Sequence, residues 1–458
     1  MMRALWGSGR GASAFVEAYT VGEDREHDRR LLEWDVLGTL GHVEGLAAAG
    51  LLTAPERERL RAALRRILAG ARSGRITVED GDEDMHSTIE RVLAERLGEL
   101  GERVHAGRSR NDQVACALRL YLKSALLDIS GSVLDAAAAL VAFGSAHPGV
   151  VWPGYTHQRR AMPSTVGLWA GGHAESLLDD LVPIEAAWTL ADRSPLGSAA
   201  GFGVPLDLPR ALVARRLGFA AVQRNVTAVQ AARGKLEVTV LAALWQVAYD
   251  LAKLSWDVVL FSSEEFGFLG LPADLATGSS IMPHKRNPDV FELTRARAGV
   301  VEGCLHEAMA VAGGLPGGYH RDLQLTKGPL LRGLDTAREM LGMVALAVPR
   351  LNVDQEACRY AVTGDLLATD EVYRRVRAGE SFRAAYRAVS AEVAAGRPVP
   401  ALDDRRILAS RRQLGGAGAP GLDRVSREIA GWRRRIERRA ESFARALSSL
   451  AGATGGRK

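Results

Sequence analysis

A chain of 458 residues is long enough for two or three domains, or for one elongated helical body. Apolar residues make up 47% and charged residues 25%, as in ordinary soluble globular proteins. The net charge of +5 is too small for a chain of this length to favour nucleic acid as a partner. Aromatic residues are only 6%, and abundant Ala and Leu favour helix over strand.

The cysteines and the apolar runs bear on the compartment. Cys116, Cys304 and Cys358 are widely spaced and form neither a CxxC pair nor a zinc spacing. We therefore expect a reducing, cytoplasmic environment. The N-terminus has no apolar h-region, and the Ala-rich run at 135–142 is too short and too weakly apolar for a membrane span. Neither a signal peptide nor a membrane helix is predicted.

The elements in chain order predict an all-α protein in three parts. Residues 1–111 indicate shorter helices with a Gly- and charge-rich loop at 70–83, and residues 352–458 indicate another group of short helices. Between them, residues 112–351 form the predicted central domain, a bundle of five long helices. These helices are predicted at 112–146, at 164–194 with an interruption at Pro183, at 236–262, at 288–313 and at 329–348.

The central helices are unusually long and apolar. Helices of about 25–35 residues are about 40–50 Å long. The usual helix of a globular protein has only ~10–14 residues. Residues 241–247 are apolar on more than one face, and such a helix must be buried on most sides. Five helices in one chain hardly achieve that burial, so we expect pairing with other subunits.

Two polar clusters precede the first long helix. Asp82–Ser87 combines three acids with one His, which suggests either a metal ligand or an acidic helix start. With one His and no second cluster, no coordination set is complete, and no metal is predicted. Ala106–Gln113 places two arginines, a serine and an asparagine on a Gly-led loop, where Arg forks suit carboxylates. A helix N-cap with scattered surface charge is the alternative.

Three further clusters lie later in the chain. Pro153–Arg159 presents a hydroxyl and an imidazole on a Gly-positioned turn, and His exchanges protons near neutrality. Gly278–Pro288 combines hydroxyls, cations and an amide, and it ends in a predicted N-cap, Asn287, with proline at the first helical position. Donors and a positive helix end there suit a carboxylate-bearing substrate. Glu292 in the following helix could orient a histidine. Tyr319–Lys327 carries a polar stripe that is weak taken alone.

Gly278–Asn287 resembles the signature loop of the fumarase/aspartase superfamily of lyases. Gly107–Gln113, Asp82–His86 and Gly154–His157 resemble the argininosuccinate lyase family within it. The likeness extends over about residues 5–375 and includes the segments Leu5–Gly7, Asp35–Gly38 and Ser194–Ser198.

The resemblance implies a mostly helical homotetramer with a twenty-helix central bundle and active sites shared by three subunits. It implies elimination of L-arginine and fumarate from L-argininosuccinate in arginine biosynthesis, with neither metal nor organic cofactor. It implies Ser279 as general base, Lys285 as a group that stabilises its alkoxide, His157 as general acid and Glu292 as its orienting group. The residues that it implies for substrate binding are Ser109, Arg110, Asn111, Thr156, Asn287, Tyr319, Gln324, Lys327 and His86.

Several positions depart from the family pattern. Gln158, Arg159 and Met162 follow the histidine where Leu, Gln and Gln are usual, and His284 and Arg286 stand where Gln and Lys are common. Thr20–Asp24 lacks a serine at the usual place, with Gly22 in this run. The alternatives are a sister lyase that acts on another N-substituted aspartate, such as adenylosuccinate or an aminopolycarboxylate, and a non-enzymatic crystallin-like protein. Retention of Ser279 and His157 disfavours the second.

Overall fold

A computed structural model describes residues 14–452 of the chain. The segment Leu5–Gly7, part of the resemblance, lies outside these residues. The N-terminal helices are α1 (Ala14–Val21), α2 (Asp24–Ala48), α3 (Ala54–Arg72), α4 (Met85–Leu97) and α5 (Glu99–Glu102). The central helices are α6 (Arg110–Ala146), α7 (Val166–Asp179), α8 (Leu181–Ala191), α9 (Arg210–Arg216), α10 (Val226–Ala231), α11 (Lys235–Phe261), α12 (Asp289–Ala312) and α13 (Lys327–Ala347). The C-terminal helices are α14 (Gln355–Tyr360), α15 (Ala368–Arg377), α16 (Phe382–Ala394), α17 (Asp404–Ala409) and α18 (Leu422–Ala451).

The long central helices form the core because their apolar faces meet. α11 packs along α12 and α13, and α13 packs along α6, which also contacts α2, α7 and α18. Gly333 in α13 permits a close approach, since a Cβ there would lie 2.5 Å from the Leu241 side chain of α11. α6 is long and apolar enough to cross a membrane, but most of it is buried inside the protein, as in the core helix of a soluble protein.

Two sequence predictions about helices were wrong in detail. The break within 164–194 falls at Asp180, because Pro183 occupies the first turn of α8, where proline costs no hydrogen bond. The C-terminal part is not composed only of short helices, since α18 has 30 residues. Its buried side chains, among them Val425, Ile436 and Phe443, recur at helical spacing along one face.

The fold is mostly helical, but residues 14–452 also contain short strands in two-stranded sheets. β1 (Val151–Thr156) and β2 (Arg159–Thr165) form an antiparallel hairpin directly after α6. The other pairs are β3 (Arg193–Ser194) with β4 (Ala221–Val222), β5 (Leu269–Gly270) with β8 (Asn352–Val353), and β6 (Thr277–Gly278) with β7 (Arg286–Asn287). The hairpin and the β6–β7 pair each carry a predicted catalytic segment.

Candidate active site

A polar cavity of about 180 Å³ lies where α6, α11 and α13 begin, and we call it the Arg110 cavity. Six of the residues predicted to bind substrate line it: His86, Arg110, Asn111, Tyr319, Gln324 and Lys327. Residues separated by more than two hundred positions in sequence therefore share one surface. Ser109, a seventh predicted residue, directly precedes α6.

Ser109 and Asp112 fix the start of α6 beside this cavity. The Ser109 side chain accepts a hydrogen bond from the Asn111 N–H at 3.3 Å, and Asp112 accepts one from the Ser109 N–H at 3.0 Å, which makes a capping box. The second Asp112 oxygen accepts the N–H groups of Gly197 and Ala199 at 3.0 and 2.9 Å. The predicted N-cap and the predicted binding loop are thus the same structure.

Arg110 is paired with acids of its own chain. Its guanidinium lies 2.6 Å from Glu83 and 2.9 Å from Asp84, and it donates to the Ser87 hydroxyl at 3.2 Å. Asp84 also caps α4 by accepting the Ser87 N–H at 2.7 Å. The acidic run upstream is therefore a helix start, and it also holds the arginine at the cavity wall.

Lys327 and Gln324 contact the N-terminal segment. The buried Lys327 ammonium lies between Asp24 and Asp28, at 2.8 Å from Asp28. Burial alone would lower the Lys327 pKa, but the Asp28 and Asp24 carboxylates outweigh it and raise the pKa above its usual value. Gln324 donates to the carbonyls of Thr20 and Val21, both at 3.2 Å.

His86 is buried and pairs with an acid of its own chain. Its Nδ1 lies 2.7 Å from Asp35, and both side chains are almost fully buried. Burial disfavours the charged ring, but Asp35 and the nearby Asp84 and Asp28 raise the His86 pKa to about 9. Within residues 14–452, no group of three or more His, Cys, Asp or Glu side chains is placed to hold a metal ion.

Four charged cavity residues had no role in the sequence interpretation: Asp24, Asp28, Arg233 and Arg321, of which Arg321 lies within the polar stripe Tyr319–Lys327. The first two lie in a charged run that also contains solvent-exposed residues, so charge alone does not distinguish them. Arg233 is buried 3.6 Å from Glu237, and its guanidinium lies 5.7 Å from the Tyr319 ring centroid. In the sequence, Arg233 is marked only by its i, i+4 spacing from Glu237 at the start of an apolar helix.

His157 stands at the tip of the β1–β2 hairpin. Thr156 pairs with Arg159, so His157 and Gln158 form a two-residue loop with φ values of 54° and 56°. Two positive φ values are those of a type I′ turn, which usually contains Asn or Gly. The strained conformation holds Thr156 and the imidazole exposed to solvent. The hairpin itself was not predicted.

Ser279 lies in the loop that β6 and β7 close. The Ser279 hydroxyl oxygen accepts hydrogen bonds from the N–H groups of Ile281 at 3.3 Å and Met282 at 3.0 Å. Thr277 donates to Asp289 at the start of α12, which ties the base of the loop to that helix. Lys285 is exposed within the loop. Backbone donors that converge on one hydroxyl are the arrangement that stabilises an oxyanion.

The predicted cap of α12 was wrong. Asn287 belongs to β7, where it pairs with Thr277, and the position before α12 is Pro288, which has no side-chain cap. Asn287 does not cap the helix because its backbone pairs with Thr277 in the β6–β7 ladder. Glu292 lies in the first turn of α12, 3.8 Å from Arg295.

These segments lie at opposite ends of the long helices. Lys327 begins α13 in the Arg110 cavity, whereas Arg350, after the end of α13, pairs at 2.5 Å with Asp274 near the Ser279 loop. Phe261 at the end of α11 packs on Tyr155 of the hairpin, with ring centroids 6.0 Å apart. The 27 residues of α11 extend about 40 Å. One chain therefore cannot bring Arg110 to either Ser279 or His157.

The sequence is similar to known lyases. A family model described as "Lyase" matches residues 13–303. The argininosuccinate lyase of Sorangium cellulosum is 44% identical over 93% of this chain and 98% of its own. That of Parabacteroides distasonis is 42% identical over 87% and 90%, and that of Thermotoga neapolitana is 40% identical over 85% and 98%.

Solved structures share the fold at lower identity. An EDDS lyase variant with bound fumarate has a TM-score of 0.79 at 21% identity, covering 97% of this chain and 95% of that one. A class II fumarase from Schistosoma mansoni has a TM-score of 0.71 at 17% identity, covering 90% and 94%. At these identities the likeness concerns the fold alone.

Proposed function

The chain belongs to the lyase family and, within it, to the argininosuccinate lyases, which are carbon–nitrogen lyases; on this basis we propose that it converts L-argininosuccinate into L-arginine and fumarate, as a step of arginine biosynthesis in the cytoplasm. The observation that carries the proposal is the 44% identity to an argininosuccinate lyase over nearly the whole of both chains. The polar Arg110 cavity and the hydrogen-bonded Ser279 hydroxyl suit this chemistry.

The active site is shared between subunits in this proposal. Because the Ser279 loop and the Arg110 cavity lie at opposite ends of the long helices in one chain, another copy must supply the missing half. A homotetramer in which long helices of neighbouring chains run antiparallel brings opposite ends together. Five long helical segments from each of four copies then make a twenty-helix core, and each site draws on three subunits.

Exposed apolar side chains on the long helices support this assembly. On α11, Trp245, Tyr249 and Trp256 are 37%, 47% and 57% exposed, and on α12, Leu293 and Met309 are 59% and 50% exposed. Large apolar side chains exposed on two long helices that pack together form a surface that monomeric proteins rarely leave in water. Packing against a second copy removes these side chains from water, as helices that are apolar on more than one face require.

Ser279 acts as the general base in the proposed mechanism. A serine hydroxyl is a weak base, so the site must stabilise its alkoxide. The N–H groups of Ile281 and Met282 already point at the oxygen, and the Lys285 ammonium in the same loop adds a positive charge. The alkoxide takes a proton from the succinyl carbon next to a carboxylate, which leaves an aci-carboxylate dianion.

His157 then protonates the departing guanidino nitrogen as the carbon–nitrogen bond breaks, and fumarate forms. A histidine suits this role because it changes charge near neutral pH. Glu292 of a neighbouring subunit orients the imidazole. Ser109, Arg110 and Asn111 hold substrate carboxylates, and the remaining substrate contacts come from Thr156, Asn287, Tyr319, Gln324, Lys327 and His86. No metal or organic cofactor takes part in these steps.

A substitution at the base tests the mechanism. Ser279→Ala removes the alkoxide and should lower kcat by about 10²–10⁴, the usual loss of a positioned base or donor. The exposed neighbour Ser280 provides the matched control, because Ser280→Ala leaves the base intact. Fumarate release is followed by its ultraviolet absorbance. Turnover of the Ser279 variant within tenfold of wild type would contradict the assignment.

The substrate is tested with the same assay. The wild-type protein is incubated separately with argininosuccinate, adenylosuccinate and an aminopolycarboxylate that carries a succinyl group. We expect fumarate from argininosuccinate alone at a useful rate. Release from either of the other two, without release from argininosuccinate, would assign the chain to a sister reaction, and a folded tetramer that releases fumarate from none would refute the enzymatic proposal.

A further inference from the structure

A second cavity, larger than the Arg110 cavity, lies between the C-terminal helices and the β1–β2 hairpin. Its volume is about 610 Å³, within the range of ~300–1,000 Å³ that holds small organic molecules. Its walls come from the end of β2 and the start of α7, from α15 and from the loops at 399–402 and 410–417. None of the residues assigned above to the proposed reaction lines this C-terminal cavity.

Apolar side chains form most of the wall. Met162 and Pro163 of β2 line it, together with Leu367, Val399 and Leu402. Met162 is 42% exposed although it lies in a strand whose other end is buried. Such walls favour a ligand with an apolar body, which removes this surface from water.

Most charges at this cavity are already balanced within the chain. Arg411 makes a bidentate pair with Asp370, with distances of 2.8 and 2.7 Å. Arg374 donates to both oxygens of Glu371 at 2.6 and 2.7 Å, and hydrogen bonds from this arginine lower the Glu371 pKa to about 2, despite some desolvation. Both acids are therefore already paired with an arginine of the same chain, and Glu371 stays ionised at neutral pH.

Arg377 is the exception. It ends α15 and lines the same cavity, and its side chain makes no hydrogen bond or ion pair with any residue between 14 and 452. Its guanidinium is exposed at the rim, so it adds one positive charge that no acid of the described chain balances. A carboxylate is the group that its planar fork binds best.

We propose that the C-terminal cavity is a second ligand site, which binds a small carboxylate with an apolar body and pairs the carboxylate with Arg377. Argininosuccinate and fumarate are a poor match, because both carry charge along most of their length. Met162 pairs with Gly154 across the hairpin, so an occupant touches the strand pair that ends in His157. The site is thus separate from the Arg110 cavity and adjoins a predicted catalytic segment.

Calorimetric titration of the wild-type protein tests the proposal with two probes that share the same phenylpropyl body. 3-Phenylpropionate supplies an apolar body and a carboxylate, and 3-phenylpropanol lacks the charge. We expect saturable binding of the acid, about fivefold tighter than that of the alcohol, as one partly exposed ion pair provides. Absence of saturable binding of the acid to folded protein would overturn the proposal.

Variants locate the binding. Arg377→Gln should abolish the preference for the acid, whereas Arg383→Gln, which removes an exposed arginine of α16 outside the cavity, should keep it. Val399→Trp fills the cavity and should remove binding of both probes. Acid binding that is unchanged in Arg377→Gln, or binding of both probes that is unchanged in Val399→Trp, refutes the site. Both Arg residues are exposed, so these two variants should fold normally.

Discussion

Subunit sharing makes a prediction about mixtures of inactive chains. Ser279→Ala disables the loop at one end of the helices, and Arg110→Gln disables the cavity at the other end. The rate of each variant alone should be lower than that of the wild type by a factor of about 10² or more, because every site contains one defective segment. In a mixed tetramer, some sites take both of these segments from chains in which they are intact.

The expected recovery follows from chance assortment. When the two chains are made in equal amounts, a given site takes an intact Ser279 loop in half of the cases. Independently, it takes an intact Arg110 segment in half of the cases. About one quarter of the sites, and hence about one quarter of the wild-type activity, should return on co-expression if the subunits mix randomly.

The assay compares co-expressed chains with the separately purified variants that are mixed without exchange. A matched control uses Ser279→Ala with Lys285→Ala, which disable the same loop. No mixed tetramer contains a loop with both residues intact, so this pair should stay inactive. Recovery by neither pair, with folded tetramers verified by thermal unfolding and light scattering, would refute the sharing of sites. Equal recovery by both pairs would contradict the separation of the segments.

The remaining predictions concern stability. The His86 pKa is raised from about 6.5 to about 9 in the folded chain, so its stabilisation is complete below pH ~6.5 and is lost as the pH rises through ~9. The loss should be on the order of 3 kcal/mol in urea unfolding between these pH values and should shrink in Asp35→Asn; a pH-independent midpoint in wild type would contradict the pairing. Gly333→Ala should destabilise by about 1–3 kcal/mol, because its Cβ would overlap a leucine of α11, whereas Gly431→Ala in α18, with open space around it, should stabilise by up to ~1 kcal/mol. Equal unfolding midpoints for the two glycine variants would refute the close packing of α11 and α13.

Helix positions were predictable where a long apolar pattern dominates. The predicted helix at 236–262 is observed at Lys235–Phe261, and the one at 329–348 is observed at Lys327–Ala347. Their apolar positions repeat over more than five turns, so a single residue that departs from the pattern does not change the predicted helix. The hairpin at 151–165 was missed because Pro153, Gly154 and Pro163 interrupt the alternation that marks a strand.

The polar residues of the Arg110 cavity were identifiable, but their partners were not. Lys327 was predicted to bind substrate, and the structure places its ammonium between Asp24 and Asp28. Nothing local in the sequence pairs residues three hundred positions apart, because such contacts arise only when α2 and α13 pack together. A substrate carboxylate must therefore add to, or compete with, carboxylates that already neutralise the lysine.

The motifs predict which residues are catalytic, but they do not predict a single pocket within one chain. The length of the helices is the reason. Each motif directly precedes or follows a long helix, so its position along the bundle is fixed by the end on which it falls. Arg110 starts α6 and the hairpin of His157 follows the end of the same helix, whose 37 residues extend about 55 Å. No rearrangement of loops closes that distance within one chain. If these residues act on one substrate, the start of α6 in one subunit must lie beside the end of α6 in another. The exposed apolar side chains of α11 and α12 provide a surface along which the subunits can pack in this way.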